Sequence, residues 1–513
     1  MKRPRSCVSS RIITLSLANC SLTKKFSPAI LIVICSLACI SRDHLCFQGK
    51  AASFGALLGM EDDFLIEQKH TNFAIFATAV LAFCGVLLET AMNVTFPTLV
   101  AQFHTTLNAV QWVTTGYLLA VAATMMITGF IESRMQTRQL VVCALGLFVL
   151  GGAICAVSIN LAMLLIGRIV QGLATGLIMP LVFALIMVKV PRAQQGRYVG
   201  IAGMLIALAP SLGPSYGGFV TQVASWRLSF CLIMPVALIA GVIAIVNMPQ
   251  VFPQQKMVFP VGQFALLLLG LIGIIVGFNQ LGASGLNSLS TWTPLLLGLL
   301  GLIGYVKVAS KQTHPLIALT IFHSRQFNLA LGLYFSVQFM QLGQTFLLPN
   351  YAQLVNHLGS FSAGASLLVG SFASAILSPF TGHWLDRFGI RRVALCGSLF
   401  LLTANGLLLI FSQALSTGLI VGGYLLYMIG FSFIFNNALT YGLQNLPNKL
   451  TPDGNAAFNT MQQYAGSLGT ASVSAVLAAT TTITSGTRAV YVGMLMISIL
   501  VLIGSFNFNK QTA

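Results

Sequence analysis

Residues 200–218 read Gly-Ile-Ala-Gly-Met-Leu-Ile-Ala-Leu-Ala-Pro-Ser-Leu-Gly-Pro-Ser-Tyr-Gly-Gly and close on the hexapeptide Gly213-Pro214-Ser215-Tyr216-Gly217-Gly218. A run this apolar suits a helix in hydrocarbon, where about twenty residues cross the bilayer. Glycine and proline in a lipid-embedded helix strip away bulk and leave carbonyls short of partners. Such a helix must kink and pack tightly against a neighbour. A small-residue packing helix of any membrane protein is the plainer reading.

Composition extends the reading to the whole chain. Of 513 residues, 56% are hydrophobic and 7% charged, and the mean hydropathy is +0.88. Most of the chain must therefore sit in lipid, as an all-α integral membrane protein. A net charge of +17 would point to nucleic acid in a soluble protein. Here the basic residues fall in short gaps between apolar segments, which makes them a topology signal and excludes nucleic acid as the partner.

Apolar stretches of roughly twenty residues run from 72–97 to 489–507, and there are about fourteen of them. With the start of the first stretch inside, Lys69, Arg134, Arg138, Lys189, Arg192, Arg197, Lys256, Lys307, Lys311, Arg325, Arg387, Arg391, Arg392, Lys449 and Lys510 all fall on the cytoplasmic side. Arg227 and Arg488 fall outside. So one-sided a distribution predicts an even helix count with both termini cytoplasmic, in a multi-pass protein of the cell membrane.

Residues 1–59 differ from the rest. Basic residues including Lys2, Arg3 and Arg5 precede an apolar stretch, 29–40, too short to span comfortably, and five of the ten cysteines lie here. A signal peptide is one reading. The preferred one is an extended start, with Met60-Glu61-Asp62-Asp63 opening the working protein. The remaining cysteines are scattered through the apolar stretches and imply no disulfide framework.

Carboxylates are scarce after residue 60, and Glu89 is the one deep in an apolar stretch, with Asn93 a turn away on the same face. Arg168 lies well inside the stretch 161–188, at a cost of several kcal/mol unless it faces a polar cavity or a partner. Gln171 and Thr175 follow it on one helical stripe, and Glu89 is its expected partner. Tyr334, Gln338, Gln341 and Thr345 make an uncharged stripe on 326–348. Asn455, Asn459 and Gln462 make another on 455–479. Both suit a cavity for varied amphipathic molecules, and ordinary interhelical hydrogen bonding would explain them equally.

The loop Gly382-His383-Trp384-Leu385-Asp386-Arg387-Phe388-Gly389-Ile390-Arg391-Arg392 resembles the G-x-x-x-D-R-x-G-x-R-R signature of the major facilitator superfamily. The first-half loop keeps Gly129, Arg134 and Arg138 but has Ser133 and Gln136 at the Asp and second Gly positions, with Glu132 one place early. Arg168-Ile169-Val170-Gln171-Gly172 resembles the family's fourth-helix motif, and Gly213, Pro214, Gly217 and Gly218 its antiporter motif. Trp226-Arg227 resembles the start of the sixth helix; Gln111-Trp112 with Tyr117 resembles the start of the second. Leu88-Glu89-Thr90-Ala91-Met92-Asn93-Val94-Thr95-Phe96-Pro97 resembles the first-helix signature of the fourteen-helix drug/proton antiporters, with the acid placed as in the lincomycin-type branch.

That resemblance, over roughly 72–507, implies six plus two plus six helices: a first bundle at 60–250, two inserted helices at 251–312 and a second bundle at 313–513. It implies proton-coupled efflux of small amphipathic compounds by a monomer, with Glu89 and Arg168 as the coupling pair. Gly382, Asp386, Arg387, Gly389, Arg391, Gly129, Glu132 and Arg134 would form the cytoplasmic latches. An uptake permease or a metabolite exporter of the same fold is the alternative. No phosphate loop and no metal-ligand spacing of the histidines occurs, so neither ATP nor a metal cofactor is expected, and an enzyme is the poorer rival.

Overall fold

The computed structural model describes residues 47–251, 259–285, 288–312, 315–447 and 450–508. Lys256, Lys449, Lys510 and most of the 1–59 leader lie outside them. The chain divides into two compact units, 1–69 and 70–513, and apart from the start of the first helix the second carries everything that follows.

Thirteen long helices succeed one another among the described residues: α1 (Phe47–Phe103), α2 (Trp112–Arg134), α3 (Thr137–Ala156), α4 (Leu161–Lys189), α5 (Arg192–Val223), α6 (Trp226–Asn247), α7 (Val261–Ser284), α8 (Leu289–Ala309), α9 (Arg325–Leu354), α10 (Leu368–Ile410), α11 (Thr417–Gln444), α12 (Thr451–Ala478) and α13 (Ile483–Phe506). Short helices Leu107–Val110 and Ser360–Ala365 precede α2 and α10. Several starts are set locally by side chains that satisfy the orphan N–H groups of the first turn. Asn160 accepts from the Met163 N–H ahead of α4, Ser324 from that of Phe327 ahead of α9, and Ser416 from that of Leu419 ahead of α11. Thr482 and Ser485 cap α13 reciprocally.

Among the described residues, ten helices are long and apolar enough to cross a membrane. The helices α5, α9 and α12 are as long but more polar; α9 carries four buried amides, Gln338, Gln341, Gln344 and Asn350. Residues 360–410 form one of the ten, yet Gly389 inside α10 has φ 74° and ψ 160°. Two helices meet across a kink at a dihedral that only glycine takes readily. Leu232, Val236, Ile239, Val242 and Val246 on α6 and Leu296, Leu299 and Leu300 on α8 are exposed, which is the outer surface of a protein solvated by lipid tails.

Neighbouring helices approach closely through glycine. The α7–α8 seam brings Gly273 against Gly298 and the Pro294 carbonyl, and α7 also packs on α12. At the near end of this hairpin Asn279 Nδ2 donates to Asn108 Oδ1 at 2.8 Å, and Ser474 of α12 donates to the same oxygen at 3.2 Å.

Candidate functional site

Among the described residues, the charged side chains that are buried are Glu89, 5% exposed on α1, and Arg168, fully enclosed on α4. Proximity along each helix and tight packing between helices bring them into one region. Arg168 Nη1 donates to Gln171 Oε1 at 2.7 Å, one turn on, and Nε donates to the Val113 carbonyl of α2 at 3.3 Å. Its guanidinium carbon sits 4.0 Å from the centre of the Tyr117 ring, and Nη2 is left without a partner among the described residues. No hydrogen bond joins it to Glu89. The sequence pairs the two charges because they are scarce, whereas Gln171 and Tyr117 reach the guanidinium first.

Tyr117, which sequence reading takes only as a helix-start marker, is the bridge. Its hydroxyl lies 2.9 Å from the Gly85 carbonyl of α1 and 2.8 Å from Thr175 Oγ1 of α4. One side chain therefore ties the helix of Glu89 to the helix of Arg168 while its ring face holds the cation. Gln171 and Thr175 are both buried, and Thr175 donates back to the Gln171 carbonyl at 3.3 Å. On α4, Arg168 turns to α2 and Thr175 to α2 and α1, while Gln171 packs against Gly151 and Gly152 of α3.

The small-residue face of α5 grips the same turn of α1. A methyl group at Gly213 would strike Thr90 Oγ1 and the Leu87 carbonyl, and one at Gly217 would strike the Ala91 carbonyl. Those contacts bracket Glu89. Gly218 faces elsewhere: a methyl there would meet the Ser360 carbonyl, and one at Gly364 would meet the Pro214 carbonyl. Gln222 Oε1 accepts from the Phe361 N–H at 3.1 Å, and the rings of Phe219 and Phe361 lie 6.0 Å apart. The antiporter-like segment thus touches α1 with one edge and the start of the 360–410 segment with the other.

Asn93, buried a turn beyond Glu89, accepts from Thr114 Oγ1 at 2.8 Å and keeps Nδ2 unpaired. Of the stripes, Tyr334 and Gln462 do come together, the hydroxyl donating to Oε1 at 2.9 Å. The Tyr334 ring stacks 4.2 Å from that of Phe435. Gln338 and Gln341 are buried on α9, where Gln341 donates to Thr345 Oγ1 at 3.3 Å. Asn455 and Asn459 are half-buried on α12.

The loop residues sit away from this centre. Asp386 and Arg387 are exposed, Gly382 has open space around it, and Gly389 makes the turn. Arg391 lies 6.0 Å over the Phe506 ring. In the first-half loop Gly129 also meets open space, and Arg134 lies over Phe130 at 5.7 Å. Glu132 is half-buried, with Oε1 shielded and without a hydrogen bond among the described residues.

Sequence reasoning misses Asn350 and Gln353, which lie past Pro349 on α9. Asn350 Nδ2 donates to the Asn93 carbonyl at 3.4 Å, and Gln353 Nε2 to the Val94 carbonyl at 2.9 Å. The Phe96 and Phe346 rings stand 5.5 Å apart beside them. The start of α2 meets α12 in the same way, through Thr115 Oγ1 and Thr470 Oγ1 at 3.1 Å and through Ser467 Oγ donating to the Thr115 carbonyl at 3.1 Å.

Residues 78–470 match the family model described as Major Facilitator Superfamily. A protein of Listeria monocytogenes named lincomycin resistance protein LmrB is 33% identical over 413 residues, covering 80% of this chain and 88% of its own length. Its namesake in Bacillus subtilis is 32% identical over 468 residues, covering 86% and 97%. A multidrug resistance protein B homolog of Mycobacterium tuberculosis is 29% identical, covering 76% and 73%. Among solved structures, a peptide transporter POT in complex with sulfate superposes with a TM-score of 0.62 at 17% identity, covering 84% of this chain and 94% of that one. That likeness shows the fold alone.

Proposed function

The chain belongs to the major facilitator superfamily, and on that premise we propose that it exports small amphipathic compounds across the cell membrane in exchange for protons. Its relatives named for lincomycin and multidrug resistance favour export and make lincomycin the first compound to try. The observation that carries the proton half is Glu89: a carboxyl group enclosed on α1, on the turn that Gly213 and Gly217 grip.

In this reading Glu89 takes a proton when the cavity opens outward and releases it inward after the halves reorient. Deprotonated, it helps hold substrate arriving from the cytoplasm or inner leaflet. Substrate and proton compete for one charge state, which makes exchange obligatory without ATP. Arg168 stays beside α1 as a fixed positive charge. Tyr334, Gln338, Gln341, Asn455, Asn459 and Gln462 offer the substrate neutral hydrogen-bonding groups, with the Tyr334–Phe435 stack as an apolar wall. Glu132 and Arg134, with Gly129, and Gly382, Asp386, Arg387, Gly389 and Arg391 act as the cytoplasmic latches.

The architecture proposed is fourteen spans in a six-two-six order, with bundles at 60–250 and 313–513, α7 and α8 inserted between them, both termini cytoplasmic and the monomer as working unit. Three further long helices beside the ten apolar ones and the reversal at Gly389 support that count. The contacts that join α1 to α9 and α2 to α12 then lie at the outer face, closed while the inner face is open.

Everted vesicles carrying the protein test the reading. Uphill lincomycin uptake driven by an imposed proton gradient and collapsed by an uncoupler is the expected result. Accumulation that ignores the gradient would reject proton exchange.

A further inference from the structure

Pro97 sits inside α1 and Pro349 inside α9. Proline has no N–H, so the carbonyl four residues earlier on α1, that of Asn93, has no helical donor. A freed carbonyl at membrane depth must find another partner or stand unsatisfied. Asn350 Nδ2 supplies that partner from α9 while its other hydrogen returns to the Phe346 carbonyl of its own helix at 2.6 Å. One turn on, Gln353 reaches the neighbouring Val94 carbonyl at 2.9 Å and also the Pro349 carbonyl at 3.4 Å. Ser360 Oγ donates to Gln353 Oε1 at 3.0 Å, so the second amide is held in place from the next segment.

We propose that Asn350 and Gln353 are the positioning residues of the outer closure: two neutral amides of α9 that clasp the α1 backbone at the turn opened by Pro97. The inference rests on the alternating-access reading above and adds which atoms close the outer route to Glu89, one turn below Asn93. Carbonyl acceptors carry no net charge, so the clasp is made and broken without moving an ion through hydrocarbon. It is also incomplete. Asn93 Nδ2 and Asn350 Oδ1 are both buried without a partner among the described residues, and a contact that leaves a donor and an acceptor unmet is easier to open than a saturated one.

The test reads distance rather than transport. Spin labels replace the exposed His104 and His357, just past the ends of α1 and α9, in full-length protein freed of its cysteines and held in lipid nanodiscs. Paired-label spectroscopy should give a dominant short distance in the parent protein. In Asn350→Leu with Gln353→Leu the longer-distance population should rise roughly fivefold, the scale of two interhelical hydrogen bonds in a membrane. Pro97→Ala, which restores the missing N–H and leaves both amides untouched, should move the distribution the same way. An unchanged distribution in the double variant overturns the clasp. A change in the double variant without one in Pro97→Ala overturns the role of the freed carbonyl. If the double variant does not fold, Pro97→Ala carries the test alone. Gradient-driven export is assayed separately in the parent; its absence would remove the transport reading and leave the distance result standing.

Discussion

The guanidinium of Arg168 rests 4.0 Å from the ring centre of Tyr117, and the hydroxyl of that ring lies 2.9 Å from the Gly85 carbonyl. A cation on one helix is thereby held against the helix that carries Glu89 without being bonded to Glu89. The distinction matters for coupling. A carboxylate locked in a direct ion pair gives up its proton-binding role, whereas one near a cation occupied elsewhere keeps it.

Two substitutions separate the parts of that bridge. Tyr117→Phe keeps the ring under Arg168 and removes the hydroxyl, so it should lower stability by about 1 kcal/mol. Tyr117→Leu also removes the cation–π contact and should cost about 2 kcal/mol more in this dry setting. Thermal unfolding in detergent measures both. Equal losses would mean that the ring face contributes nothing to holding the cation.

The glycines of the 213–218 segment divide by what they touch. Gly217 meets the Ala91 backbone of α1, so Gly217→Ala should destabilise the protein by about 1–3 kcal/mol through overpacking. Gly218 meets the Ser360 backbone of the short helix ahead of α10. Gly218→Ala should leave melting within about 1 kcal/mol of the parent while slowing transport, because the strain exists only in the closed state. A Gly218→Ala protein with parental transport rates would show that interface to be compliant.

Local and long-range information divide the sequence reading. Periodicity and capping residues suffice for α4, where Asn160 starts the helix and a 161–188 stretch becomes Leu161–Lys189. They suffice also for the Arg168–Gln171 contact, three residues apart. Burial of Glu89 follows from its apolar flanks. What escapes is any bond whose partner is distant in sequence: Tyr117 with Gly85 and Thr175, or Asn350 with Asn93, 257 residues away. A tyrosine or an amide on an apolar helix carries no mark of its partner. The polar stripe read on 326–348 ends at Thr345, short of Asn350 and Gln353.

The hairpin α7–α8 provides a test of which contacts hold it. Asn279→Leu removes its polar anchor to Asn108 and should cost no more than about 1 kcal/mol, since interhelical hydrogen bonds in membranes are individually weak. Gly273→Leu drives a side chain into Gly298 and the Pro294 carbonyl and should cost more than Asn279→Leu, by about 1–3 kcal/mol. Unfolding midpoints in the opposite order would place the hairpin's attachment in its polar end.

Glu89 carries the proposal's weight, and its neutral isostere isolates the charge. Glu89→Gln retains the size of the side chain and its place beside the turn gripped by Gly213 and Gly217, so the fold and its melting should stay within about 1 kcal/mol of the parent. The amide cannot cycle between charged and neutral forms. Uphill, gradient-driven export in vesicles should therefore fall by at least about a hundredfold, while downhill equilibration of substrate persists, because reorientation no longer waits on a proton. Arg168→Ala should impair both modes, since it removes a cation that joins α4 to α2 and leaves the Gln171 amide without its partner. Proton-dependent accumulation that survives in Glu89→Gln would move the coupling site elsewhere, and Glu132, with its shielded and unpaired Oε1, would be the next carboxyl to substitute.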